Sequence, residues 1–111
     1  NNGSPVRGWL HAADTASAVI HLIEKNIKNE IYNISGNYYD TNLNVSKKII
    51  KNFNGDDEYK KYLDFSYSRK GQDVRYSVDD SKLKATGWVP VKRFDEELPS
   101  IINFYKDNYI W

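Results

Sequence analysis

Cysteine and methionine are both absent from this 111-residue sequence. Without cysteine there is no disulfide framework and no thiolate to act as nucleophile or metal ligand. The two histidines, His11 and His21, stand ten positions apart with no other soft ligand beside them, so a zinc site is not expected. Apolar runs extend over only a few residues, too few to span a bilayer. The N-terminal residues lack the basic-then-apolar order of a secretory signal, and the expectation is a cytoplasmic protein. A start at Asn1-Asn2-Gly3-Ser4-Pro5 with no methionine anywhere suggests a piece of something longer. Charge of either sign is barely in excess: 16 basic against 15 acidic residues leave +1. That balance gives no general attraction for nucleic acid or an anionic membrane, so any anion site has to be local.

Catalytic signatures are missing too. There is no glycine-rich dinucleotide or P-loop pattern and no G-x-S-x-G. None of Tyr38, Tyr39, Tyr59 and Tyr105 is followed four positions later by Lys. Taken from its residues, the chain is a binding domain rather than a catalytic unit.

What is present is a globular composition. Hydrophobic residues make up 40% and aromatics 14%, with nine Tyr. Residues 7–12 have strand character. Asp14 or Thr15 then reads as a helix N-cap, and Thr15, Ala18, Val19, Leu22 and Ile23 recur on one helical face. Residues 30–35 are rich in strand formers. Asn42 reads as the cap of a second helix whose inward face is Val45, Ile49, Ile50 and Phe53. Residues 63–67 alternate as a half-buried strand does, and residues 75–78 read as extended. Asp79 or Asp80 caps a short helix ended by Gly87. A last helix carries Phe94, Leu98, Ile101, Ile102 and Tyr105, with Pro99 expected to delay its start. The order is α/β, with too few strands for a self-sufficient doubly wound sheet. Trp9, Trp88 and Trp111 are expected in the core.

Arg7 beside the first strand, Arg69 in a polar loop and Arg75 after it are the candidate anion ligands. A guanidinium fork makes two parallel hydrogen bonds to a phosphate, although any one surface Arg is most simply a solvated charge.

Several blocks, in order, carry a resemblance. Arg7-Gly8-Trp9-Leu10-His11-Ala12-Ala13-Asp14 resembles R-x-W-L-[HY]-x-x-D, and Glu30-Ile31-Tyr32-Asn33-Ile34-Ser35-Gly36 resembles E-x-Y-N-I-[GSA]-G. Thr41-Asn42-Leu43 follows as the expected helix start. Arg69-Lys70-Gly71-Gln72-Asp73-Val74-Arg75-Tyr76 resembles R-P-G-[HQ]-D-x-R-Y. Asp79 to Leu83 with Gly87 to Pro90 resembles D-x-x-K-[LI]-x-x-x-G-W-x-P, and Phe104-Tyr105 with Asn108 and Trp111 resembles W-Y-x-x-N-x-x-W. Together these cover nearly the whole chain and resemble the extended short-chain dehydrogenases/reductases of the NAD-dependent epimerase/dehydratase family, nearest to its nucleotide-sugar 4,6-dehydratases.

The resemblance implies the C-terminal, sugar-nucleotide-binding region of such an enzyme, spanning residues 1–111, with a small mixed sheet and four helices. Residues 1–36 would include elements that pack on a Rossmann domain outside this sequence. That domain would hold NAD and the catalytic groups; no cofactor and no catalytic residue are expected on this chain. Implied chemistry is oxidation at C4, loss of water across C5 and C6, and reduction at C6. A nucleotide-sugar 4-epimerase or decarboxylase is the alternative within the superfamily, and a non-catalytic sugar-phosphate-binding module the alternative outside it. The implied substrate is a dTDP- or UDP-hexose, and the whole enzyme would be a homodimer. By the same resemblance Arg7 and Arg69 reach the diphosphate, Asn42 lies near the nucleotide, Gln72 shares the pocket and Trp9 packs by the ribose. The sequence departs from the pattern at Gly8, where Asp or Asn is usual, at Ser68 and Lys70 around Arg69, at Thr86 and at Pro99.

Overall fold

The computed structural model describes residues 1–109, so the expectation for Trp111 lies outside the described residues. Strand β1 (Val6–Trp9) leads into helix α1 (Ala12–Glu24). Strand β2 (Tyr38–Thr41) runs directly into α2 (Asn42–Asn54). After a 3-10 turn at Tyr59–Lys61 and a long irregular stretch come the short α3 (Ser81–Lys84) and then α4 (Phe94–Asn108). β1 and β2 pair antiparallel, with Arg7 opposite Asp40 and Trp9 opposite Tyr38. At its start β1 also meets the irregular stretch in a parallel bridge between Val6 and Arg75. There Val6 donates its N–H to the Val74 carbonyl at 2.8 Å and accepts from the Tyr76 N–H at 3.2 Å. The small mixed sheet and four helices of the expected α/β class are present.

Local chemistry moves several boundaries. β1 stops at Trp9 because His11, not Asp14 or Thr15, caps α1: its Nδ1 accepts the Ala13 N–H at 3.0 Å. Asp14 lies inside the helix, buried, and serves a distant loop. The cap of α2 is Thr41, still extended and with its hydroxyl accepting the Asn44 N–H at 3.1 Å, so Asn42 is the first helical residue. Residues 30–35 and 63–67 form no strand: neither makes a ladder with another segment among the described residues. Pro99 does not delay α4, which begins at Phe94 with the Glu96 and Glu97 N–H groups closing on the Arg93 carbonyl. The missing proline donor leaves the Asp95 carbonyl on an exposed turn, open to solvent.

Ala18, Leu83 and Trp88 form the core, with Leu22, Tyr32 and Ile34 packed against it. A second contact joins α2 to α4 through buried Val45, Ile50, Leu98 and Ile102. Gly36 lets residues 35–36 close on β1: a Cβ there would lie 2.0 Å from the Trp9 carbonyl oxygen, so only glycine fits. Much of the expected apolar surface stays uncovered. Ile20, Ile23 and Ile31 are 54%, 70% and 87% exposed, and Ile49, Phe53 and Tyr105 also face solvent. The radius of gyration, 16.9 Å, exceeds the value of about 13 Å typical of a self-contained domain near this length. The core is thin for the surface it has to support.

Candidate functional site

The backbone bridge at Val6 sets the site. It holds residues 73–76 beside β1, and the Arg7 side chain turns onto them. Arg7 Nη1 donates to the Val6 carbonyl at 2.7 Å, and Nη1 and Nη2 both donate to the Asp73 carbonyl, at 3.3 and 3.2 Å. The Tyr76 ring faces the guanidinium, 4.5 Å from centroid to Cζ.

Arg69 enters the same neighbourhood from the other end of the loop. It is exposed, and its backbone N–H donates to Asn1 Oδ1 at 2.7 Å. Its charge reaches the Tyr76 hydroxyl. Hydrogen bonding to the Asp73 carboxylate, and that carboxylate's charge, raise the Tyr76 pKa above its ordinary 10.0, while the charges of Arg7 and Arg69 both pull it back. Arg69 thus opens the loop whose far end, at Asp73 and Tyr76, makes the contacts to Arg7.

Asn42 is half-buried and donates its backbone N–H to the Pro5 carbonyl at 3.0 Å. It lines a cavity of about 180 Å³ with Asn1, Ser46, Leu63, Phe65 and Tyr67. Asn1 links that cavity to Arg69, since its side chain takes the Arg69 N–H. Gln72 is half-buried next to Asp73. Arg7 and Asn42 thus sit at the start of β1, and Arg69 and Gln72 stand in the loop that reaches β1 at the Val6 bridge.

Trp9 is not gathered with them. It lines a separate cavity of about 930 Å³ with Tyr38, Ile49, Phe94 and Leu98, and meets Phe94 edge-on at 5.9 Å. Its Nε1 is buried with no acceptor among the described residues. At the rim Tyr38 stacks on Phe94, with centroids 4.3 Å apart, and its hydroxyl donates to Asp40 Oδ2 at 2.7 Å. Burial, more than any other cause, pushes the Tyr38 pKa up. Lys48 donates to Asp95 Oδ1 at 2.6 Å, and that bond raises its own pKa.

The departure at Gly8 has a structural counterpart. The Tyr39 ring lies over Gly8, so that a Cβ at position 8 would fall 2.9 Å from Tyr39 Cε1. The ring is held there by a 2.5 Å hydrogen bond between its hydroxyl and Ser35 Oγ, and Arg75 stacks on it at 5.1 Å. Arg75 is therefore engaged away from Arg7. Reasoning from sequence assigned no role to Asp73 or Tyr76, although both stand inside the block that begins at Arg69. Their pairing with Arg7 depends on the parallel bridge, which has no local sequence signal.

Among the described residues no three His, Asp or Glu side chains converge as a metal site, and no helix is long and apolar enough to cross a membrane. Nor do the helix ends suit a dinucleotide pyrophosphate. The N-termini of α1 and α2 are closed by His11 and Thr41, and the first turn of α4 carries Asp95, Glu96 and Glu97, which repel phosphate.

No protein-family model matches the chain. It is similar to the dTDP-glucose 4,6-dehydratase of Escherichia coli, 31% identical over an alignment of 119 positions that covers 99% of this chain and 33% of that protein. The dTDP-glucose 4,6-dehydratase of Haemophilus influenzae is 34% identical over an alignment of 116 positions that covers 96% of this chain and 34% of its own length. Among solved structures, dTDP-glucose 4,6-dehydratase from Bacillus anthracis in complex with NAD superposes with a TM-score of 0.82 at 33% identity, over 100% of this chain and 34% of that one. The Streptomyces venezuelae enzyme, solved with NAD and TYD bound, gives 0.85 at 27% identity, over 97% of this chain and 33% of that one. The chain spans about a third of the length of the curated relatives it matches. The chain is thus similar to about one third of the dTDP-glucose 4,6-dehydratases and has the fold of that third.

Proposed function

We propose that this chain is the C-terminal, substrate-binding region of a cytoplasmic NAD-dependent nucleotide-sugar 4,6-dehydratase, and that it holds the diphosphate of a dTDP- or UDP-hexose through Arg7 and Arg69. The observation that carries the reading is their shared neighbour. That neighbour is the 69–76 loop: Arg69 opens it, and Arg7, 62 positions earlier, hydrogen-bonds the Asp73 carbonyl and lies over the Tyr76 ring at its far end, in a chain of net charge only +1. Support also comes from the Streptomyces venezuelae relative, which was solved with NAD and TYD bound. Asn42 and Gln72 border the same region and are the polar groups placed to contact the rest of the nucleotide. Trp9, in the other cavity, has no part in this contact.

On this reading NAD and the catalytic groups are held by the part of the enzyme outside this chain. The large radius of gyration and the uncovered Ile20, Ile23 and Ile31 agree with a region that completes its core against another domain. Within residues 1–36, α1 and the ladderless residues 30–35 are the surfaces for that contact.

The test is titration of the full protein with thymidine diphosphate. Arg7→Ala and Arg69→Ala are each expected to lose a charge-assisted contact of roughly 1.5–3 kcal/mol, or about 10- to 150-fold in affinity. Lys at either position restores part of it, since it supplies charge without the fork. Affinity unchanged in both Ala variants overturns the reading.

A further inference from the structure

We propose that Tyr76 and the Asp73 carbonyl are positioning groups that make Arg7 present one defined edge of its guanidinium to the diphosphate, an inference that rests on the reading of Arg7 above. A guanidinium carries five N–H donors. Three are already engaged: Val6 O takes one from Nη1, and Asp73 O takes the end-on pair, one from each of Nη1 and Nη2. The two left are Nε–H and the second Nη2–H. They lie side by side and parallel on one edge, which is the fork that matches two oxygens of a phosphate.

Orientation about the long side chain is restricted by the Tyr76 ring facing the cation at 4.5 Å. Asp73 and Tyr76 are themselves fixed by the hydrogen bonds that tie Val74 and Tyr76 to Val6, one residue before Arg7. The arginine, its carbonyl acceptor and its aromatic face therefore assemble together. Arg69 shares this neighbourhood through its charge on the Tyr76 hydroxyl. An arginine with its end-on fork already closed cannot swing to meet the ligand in several ways. It offers one edge, in place before the ligand arrives.

A double-mutant cycle on the full protein tests this, with thymidine diphosphate as the probe and NAD affinity and thermal melting as checks that the fold is intact. Arg7→Ala is expected to weaken binding at least about tenfold, and Tyr76→Leu about fivefold. Tyr76→Phe keeps the ring and stays within about twofold of the parent. On the Arg7→Ala background, Tyr76→Leu costs nothing further, because there is no guanidinium left to position. Should Tyr76→Leu not fold, pentafluorophenylalanine at position 76 keeps the ring's shape while reversing its electrostatic face, and the same loss is expected. If Arg7→Ala binds as the parent does, the diphosphate reading fails and this inference with it. If Arg7→Ala weakens binding but the Tyr76 changes cost nothing, or cost the same with and without Arg7, the positioning role is wrong and the diphosphate reading stands.

Discussion

The Asp14 carboxylate, in the first turn of α1, accepts the backbone N–H of Val91 at 3.1 Å and of Lys92 at 3.0 Å, groups 77 and 78 residues away. Asp14 is only 2% exposed. It therefore clasps the segment before α4 to the start of α1, and beside it Trp88 Nε1 donates to Ser17 Oγ at 3.0 Å. Asp14→Ala leaves two amides without an acceptor. The expected loss of stability is roughly 1.5–3 kcal/mol, since hydrogen bonds to a charged group are among the stronger ones. Urea unfolding of the parent and the variant measures it. Asp14→Asn keeps one acceptor oxygen and falls between the two. A variant as stable as the parent removes the clasp from the account.

A second prediction concerns acid. Burial alone would raise the pKa of Asp40, but hydrogen bonds from the Tyr38 hydroxyl, Asn44 Nδ2 and the Thr41 N–H outweigh it and hold the carboxyl below its ordinary 3.8. The sign follows from linkage. A depressed native pKa gives stability that is present above the unfolded value of 3.8 and is lost as pH falls through the lower native value. Unfolding free energy measured between pH 5 and pH 2 (about the carboxylate range) declines in the parent. Asp40→Asn is less stable at neutral pH and shows a shallower decline. An equally steep decline in Asp40→Asn assigns the acid limb to other carboxylates.

The sequence made the helices legible and left the ladders obscure, and the division has a physical cause. Periodicity at Phe94, Leu98 and Ile102 is local, so α4 could be read directly; Pro99 misled because a proline in the second turn removes only one hydrogen bond, here on an exposed side. Strand formers at 30–35 and 63–67 mark segments able to pair, but pairing needs a partner strand in register, and neither has one among the described residues. Capping was misplaced by one to four residues because His11 and Thr41 compete with nearby Asp14, Thr15 and Asn42, all of them capable acceptors. Arg7 and Arg69 were identifiable from the blocks they stand in. Asp73 and Tyr76 were not, because their relation to Arg7 runs through a backbone bridge of residues 69 positions apart. Trp9 shares a strand with Arg7 yet serves another cavity, a distinction that depends on Phe94 and has no mark in the R-x-W-L block.

The uncovered apolar residues yield a third prediction. As an isolated chain, the 111 residues expose Val19, Ile20, Ile23 and Ile31, and apolar surface of this kind drives association. Light scattering at rising concentration is expected to show mass above the monomer's 12.9 kDa. Ile23→Lys together with Ile31→Lys shifts the population toward monomer with little loss of helix signal, because both side chains already face water. A parent chain that is monomeric and melts in one sharp transition overturns the account of an incomplete core.

The last prediction turns on Gly8 and Tyr39. A side chain at position 8 has to enter the space of the Tyr39 ring, whose Cε1 would lie 2.9 Å from the new Cβ. The ring is slow to yield, because its hydroxyl is tied to buried Ser35 and Arg75 stacks on its face. Gly8→Asp, which brings in the residue usual at this place in the pattern the sequence resembles, is therefore expected to destabilise by about 1–3 kcal/mol, the ordinary range for overpacking. Tyr39→Ala alone opens the space and loses the stack and the hydrogen bond. In the double variant the new carboxylate occupies the vacated volume within reach of Arg75, so the two costs do not add. The cycle should show a favourable coupling of about 1 kcal/mol or more, within the range for residues in direct contact. Urea unfolding of the four proteins gives that number directly. Additive costs would mean that the ring yields freely and that Gly8 does not depend on Tyr39, leaving the departure at position 8 without a structural counterpart.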